Sequence, residues 1–203
     1  MRKDTFFKNS FFLTASNITT GILGFIFSMY LGNIAGPEGL AVYGLVMPVY
    51  NLFICLMTAG IIAAISQRSA IYESTGEYNN LFKTINTVAF FNIIWSIIIG
   101  ILVFFLAPYI SKYGIKDPRT LNAIRVTCPA MVFIALSNIL KGFFYGTSRI
   151  TVPAIIDISE KAMRIITITL LIFIFKAQTL SSIVTLAFVS LAIGELQSLL
   201  LLY

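Results

Sequence analysis

Apolar residues fill six stretches of this chain, running from about Phe11 to Gly32, Val42 to Ser66, Thr84 to Ala107, Ala123 to Tyr145, Pro153 to Phe175, and Ser181 to the end. Crossing ~30 Å of hydrocarbon as a helix takes about 20 such residues. The connections are short, and no soluble domain fits between the stretches. The pattern predicts an all-α, polytopic membrane protein of about six transmembrane helices, forming one unit over residues 1–203. Asn17, Thr19 and Thr20 interrupt the first apolar run, which then continues. It is therefore expected to stay as a first helix and not to be a cleaved leader.

Punctuation inside the stretches adds detail. Gly36-Pro37-Glu38-Gly39 predicts a tight outer loop. Pro48 and Pro129 each remove a backbone hydrogen bond within a span. Thr58-Ala59-Gly60 places small residues mid-span, where a partner helix could come close. Two stripes of small and polar residues recur at helical spacing: Asn17, Gly21, Gly24 and Ser28, then Asn92, Ser96 and Gly100. Close helix packing is the expected role of both, and lining a polar cavity has the same geometry. Asn17 is a candidate cavity residue, because its side chain needs hydrogen-bond partners in hydrocarbon.

The fifth stretch departs from the rest. Asp157, Glu160, Lys161 and Arg164 stand at i, i+3, i+4 and i+7, which puts four charges on one helical face. Each charge exposed to lipid at mid-bilayer would cost roughly 2.5–3.5 kcal/mol, whereas an apolar neighbour returns only ~0.3–0.6 kcal/mol. The stripe must face protein, water or headgroups. From Ile165 to Phe175 there are eleven uncharged residues, or about 16 Å of helix. Crossing the bilayer therefore requires starting near Pro153, which carries the stripe inside. A proline suits a first helical turn. The alternative is an interfacial amphipathic helix that turns inward after Arg164.

Composition narrows the chemistry. Of 203 residues, 58% are hydrophobic and 11% charged, against about 25% charged in soluble domains. The net charge of +6 comes from basic residues scattered near segment ends, which suits anionic lipid headgroups and not nucleic acid. There is no histidine, which removes His metal sites and His-based catalysis. Cys55 and Cys128 lie in apolar runs and read as packing residues. No nucleotide-binding loop or hydrolase motif is present, and no metal, cofactor or enzymatic role is expected. An inside amino terminus places Arg2, Lys3, Lys8, Arg68, Lys83 and Arg149 in the cytoplasm, against Lys112, Lys116, Arg119 and Lys176 outside. That six-to-four bias favours a cytoplasmic amino terminus in the cell membrane.

These features, with LGNIAGPEGLAVYGLVMPVYNLF, LMTAGIIAAIS, GEYNNLFKTI and the long run from KDPRTLNAIRV to SEKAMRI, resemble the multidrug/oligosaccharidyl-lipid/polysaccharide exporter superfamily. Within it the likeness is to the stage V sporulation protein B group of polysaccharide flippase-like proteins. Pro129, Lys141-Gly142, Gly146, Pro153, Glu160 and Arg164 look like matches to that group's pattern. The resemblance implies one lobe of a two-lobe transporter that moves lipid-linked saccharide precursors by alternating access. It implies a fragment of a longer protein, or a lobe that assembles with another half or a copy of itself. Arg164, Lys161 and Arg68 are then the cationic candidates for a substrate pyrophosphate. Asn17 is the polar cavity candidate, and Asp157 and Glu160 are candidate ion-coupling carboxylates. For Arg164, pairing with Glu160 or Asp157 is the competing structural role, and Arg68 is expected to snorkel to headgroups. Two other functions remain open: a cation-coupled multidrug antiporter of the same superfamily, and a non-transporting scaffold for envelope synthesis.

Overall fold

A computed structural model describes the backbone of residues 3–203, with the side chains of Phe7 and of Asn9 onward. Arg2 and the side chains of Lys3 and Lys8, part of the expected charge bias, lie outside the described residues. The described chain is helical, with no strand. Its helices are α1 (Lys3–Thr58), α2 (Ile61–Thr75), α3 (Tyr78–Tyr109), α4 (Leu121–Gly146), α5 (Thr151–Phe175) and α6 (Leu180–Leu202). A π-helical turn, Ile110–Ile115, extends α3, and a short 3₁₀ turn, Pro118–Thr120, leads into α4.

The first two expected spans are the arms of α1, and the outer loop between them shrinks to one residue. Gly36 takes φ 72 and ψ 178, a conformation open essentially to glycine alone. Pro37 follows it as the first residue of the second arm, where its missing N–H costs nothing. The arms fold back on each other. The rings of Phe27 and Tyr43 lie 5.9 Å apart, whereas in an unbroken helix sixteen residues would separate them by about 24 Å.

The second span also ends earlier than its hydropathy suggests. Gly60 adopts φ 77, and a Cβ built on it would meet nothing within 4 Å. Thr58-Ala59-Gly60 is therefore a chain break and not the close-packing point expected from its small residues. The carbonyls freed by the break are met from α3: Asn92 Nδ2 donates to Met57 O at 3.0 Å and Trp95 Nε1 to Leu56 O at 3.4 Å. Broken helices are tolerated at membrane depth when neighbours satisfy the backbone in this way. Pro48 and Pro129, by contrast, stay inside continuous helices.

At the centre, α4 packs against α1, α2, α3 and α6. Its buried face carries Ala123, Ala130, Ala135, Ser137 and Gly142, small residues that let backbones approach. The closest approach is to α2. A Cβ on Gly142 would stand 3.0 Å from Ile62 O, and one on Gly146 would collide with Ser66 O. One end of the bundle gathers Gly36, the 110–120 turn and the α5–α6 turn, tied by Arg119 to Glu38 at 3.0 Å and by Ser181 Oγ to Arg119 O at 3.3 Å. At the other end, Asn9 Nδ2 donates to Ser148 O at 3.3 Å.

Among the described residues, four stretches are long and apolar enough to cross a membrane alone: Asn9–Thr75, Tyr78–Ile115, Pro118–Gly146 and Leu180–Leu202. The first contains both arms of α1. With its charges, α5 does not qualify alone. It is nevertheless unbroken for 25 residues, or about 37 Å, and does not turn after Arg164 as the interfacial alternative required. Its outward residues Ile166, Leu170 and Phe173 are exposed and apolar, while Glu160 and Arg164 are buried. The molecule is an all-α membrane protein.

Candidate functional site

The charged stripe of α5 is directed into the bundle. Glu160 and Arg164 are 4% and 7% exposed, whereas the side chains of Asp157 and Lys161 stay partly open along one edge. Mutual neutralisation within the stripe explains only one pair, Lys161 Nζ to Glu160 Oε2 at 2.7 Å. Adjacent helical positions point about 100° apart, so the long lysine stem must curl back to make it. Asp157 pairs across helices with Lys141 of α4, also at 2.7 Å.

Arg164 pairs with no carboxylate among the described residues, contrary to the structural role expected for it. It donates from Nη2 to the Tyr43 hydroxyl at 2.7 Å. Its guanidinium lies 4.3 Å from the Phe27 ring centre and 5.9 Å from that of Tyr43. Those rings come from opposite arms of α1, and Tyr43 also stacks on Phe188 of α6 at 5.0 Å. Such faces suit a flat, weakly hydrated cation removed from water.

A third acid, Glu195 of α6, joins the cluster and is 5% exposed. It lies within electrostatic reach of Glu160, Lys161, Lys141 and Arg164. Neither Glu195 nor Lys141 was assigned a role from residue pattern, although Glu195 is the sole charge in the apolar run from Ser181 to Tyr203. A lone ionisable residue in such a run is itself a signal. Gly194 holds α6 close to α5, since a Cβ there would lie 3.1 Å from Glu160 Oε1. Gln197 Nε2 donates to Ser159 Oγ at 2.9 Å on the same seam. Several buried polar atoms here have no hydrogen-bond partner: Glu160 Oε1, Arg164 Nε, Tyr50 Oη, Gln197 Oε1 and Ser198 Oγ.

The remaining candidates lie apart from this cluster. Asn17 and Arg68 are exposed. The neighbour of Asn17, Ser16, turns inward instead and donates to Ala154 O at 3.0 Å. Gly21 and Gly24 have open space where a Cβ would stand, so neither glycine is a close-packing point within the described chain. The other stripe behaves as expected: Asn92, Ser96 and Gly100 are buried. Cys55 and Cys128 are both free, and among the described residues no group of His, Cys, Asp or Glu is arranged to hold a metal ion.

Over 203 residues, all of this chain, it is 28% identical to Stage V sporulation protein B of Bacillus subtilis (strain 168). Over 167 residues, 78% of the chain, it is 24% identical to Lipid II flippase MurJ of the same organism. The matches span only 39% and 31% of those relatives' lengths. No solved structure matches. Residues 6–203 match the family described as polysaccharide biosynthesis protein, and the chain belongs to that family.

Proposed function

We propose that residues 1–203 form the amino-terminal lobe of a membrane flippase that moves a lipid-linked saccharide precursor by alternating access. A second lobe, or a second copy of this chain, supplies the facing wall, since one lobe alone has nothing to open against. The protein works in the cell membrane with its amino terminus in the cytoplasm, as a transporter and not an enzyme.

One observation carries this reading: Glu160 and Arg164 of the α5 stripe are buried inside the bundle. Ionisable groups held within membrane spans serve substrate or ion paths far more often than stability. The similarity to Lipid II flippase MurJ supports a lipid-linked saccharide as the cargo. In this reading Arg164 and Lys161 are the cations nearest the transport path, with Arg68 and Asn17 on surfaces open to the second lobe. Asp157 and Glu160 belong to the energy-coupling machinery, driven by membrane potential or an ion gradient.

The test is complementation of a flippase-deficient bacterial strain with the full-length gene. Rescue by the wild type and failure of a Glu160→Ala, Arg164→Ala variant that still reaches the membrane is the expected result. Full rescue by that variant would remove both residues from the mechanism. No rescue by the wild type would remove the function.

A further inference from the structure

The six clustered charges do not all find partners. Asp157 takes Lys141, and Glu160 takes Lys161 through Oε2. Arg164 is given to Tyr43 and Phe27. Among the described residues Glu195 makes neither a hydrogen bond nor an ion pair, although it is 5% exposed. An ionised carboxylate in that position bears the cost of lost hydration with no donor to offset it.

Every element packed against Glu195 brings a polar group toward it. Across the seam, α5 brings Glu160, Lys161 and Arg164, and α4 brings Lys141. From the second arm of α1 comes Tyr50, whose hydroxyl is buried and unpartnered and interacts with both Glu195 and Glu160. Glu160 Oε1 is sealed and has no donor. Gly194, the residue before Glu195, lets the α6 backbone lie against Glu160, since a Cβ there would stand 3.1 Å from Oε1 and 3.3 Å from Cγ of Glu160. Two buried carboxylates therefore meet in one cluster, and the single hydrogen of the Tyr50 hydroxyl can serve only one of their oxygens, which leaves another acceptor without a donor. A metal cation would have to coordinate beside three resident cations. A proton bonds to one carboxylate oxygen and becomes the donor that a neighbouring carboxylate lacks.

We propose that Glu195 is an exchangeable proton site, shared with Glu160 across the α5–α6 seam, which loads and unloads during the transport cycle. Its place in a cycle rests on the transporter reading, whereas the site itself does not. Loading adds a proton from water, entering along the open edge at Asp157 and Lys161, to the Glu195 carboxylate and gives a carboxylic acid. Unloading returns that proton to water, and no electron moves.

Dicyclohexylcarbodiimide modifies carboxylic acids that are protonated and shielded from water, so it reports on such a site without any cargo. The wild-type full-length protein is reconstituted in liposomes, treated across a pH series, digested and mapped by mass spectrometry. The expected adduct is on Glu195, declines as pH rises, is lost in Glu195→Gln and persists in Asp157→Asn. An adduct confined to other carboxylates, a yield independent of pH, or no adduct on Glu195 at any pH would overturn the assignment. Infrared difference spectra of the same wild-type sample give a second readout, a carboxylic-acid carbonyl band that titrates and shifts in D₂O. Absence of that band also overturns the proposal. A pH-dependent Glu195 adduct together with failed complementation leaves the proton site and removes the flippase. Complementation without the adduct does the reverse.

Discussion

Arg164 donates to the Tyr43 hydroxyl at 2.7 Å across 121 positions of sequence, and among the described residues no carboxylate shares the guanidinium. Hydrogen bonds with a charged donor contribute about 1.5–3 kcal/mol in water-soluble proteins, and those between membrane helices average nearer ~0.6 kcal/mol. Tyr43→Phe keeps the ring beneath Arg164 and removes only the acceptor. It is expected to cost about 1 kcal/mol. Arg164→Lys loses the planar cation over Phe27 as well and is expected to cost more, despite conserving charge. Unfolding in mixed micelles gives both values. Equal effects of the two would show that the aromatic box contributes nothing.

The bridge between Lys141 and Asp157 is the main ionic tie from α4 to α5 in the cluster, and both side chains are largely covered. Removing one partner leaves the other charge without compensation, which is the expensive way to break such a pair. Lys141→Met is expected to destabilise by about 1–3 kcal/mol, with the double variant Lys141→Met, Asp157→Leu recovering most of it. A double-mutant cycle with no coupling would place the bridge among surface pairs that contribute nothing.

The charged face of α5 was readable because four charges at helical spacing in an apolar run must avoid lipid and face protein, water or headgroups. The partners of Arg164 were not. Tyr43 and Phe27 are brought together by a reversal at one glycine, and hydropathy does not register a positive φ. For the same reason the apolar run through Gly60 looked continuous. Glu195 was visible as a lone charge, but it matches no spacing motif, and its meaning depends on how α6 is rotated toward Glu160. Of two similar small-residue stripes, one is buried and the other turns outward. Asn92 faces the end of α1, whereas Asn17 faces outward because Ser16, the next position round the helix, is the one that meets α5.

That difference is testable with alanine. A Cβ on Gly146 would run into Ser66 O, so α2 and α4 must move apart, and overpacking of this kind costs about 1–3 kcal/mol. Gly21→Ala and Gly24→Ala meet open space and are expected to be neutral or to gain up to ~1 kcal/mol of helix propensity within this lobe. Thermal unfolding of the three variants separates the cases. Loss of transport by Gly24→Leu in the full-length protein, at unchanged lobe stability, would identify the first stripe as the surface that meets the second lobe.

The break after α1 gives a fourth expectation. At φ 77, Gly60 sits where a side chain is strained, so Gly60→Ala is expected to lose about 1–2 kcal/mol although space is available for the methyl. Asn92→Leu leaves Met57 O without its donor and should add to that loss, since the two changes affect the same break. Hydrogen exchange at residues 55–64 reads both. Slower exchange in Gly60→Ala would mean that the helix prefers to run straight through.

Acid should loosen the end of the bundle that contains the hairpin turn. Asp117 accepts from Arg119 through the backbone N–H at 2.9 Å and from the guanidinium at 2.9–3.1 Å. Those hydrogen bonds to the side chain hold its carboxyl below the usual carboxylate value. Because the folded pKa is lowered, the contribution is complete above the unfolded value of about 3.9 and is lost as pH falls through the lower folded one. Arg119 also reaches Glu38 beside the Gly36 turn, so protonating Asp117 weakens the anchor that orients it. The expected result is lower amide protection across residues 110–120, relative to the intrinsic exchange rate at each pH, below about pH 4 than at neutral pH. In Asp117→Asn the protection is low at both pH values. The effect is smaller in high salt, because the pair is exposed and screened. An identical acid response in Asp117→Asn would assign the pH dependence to some other group.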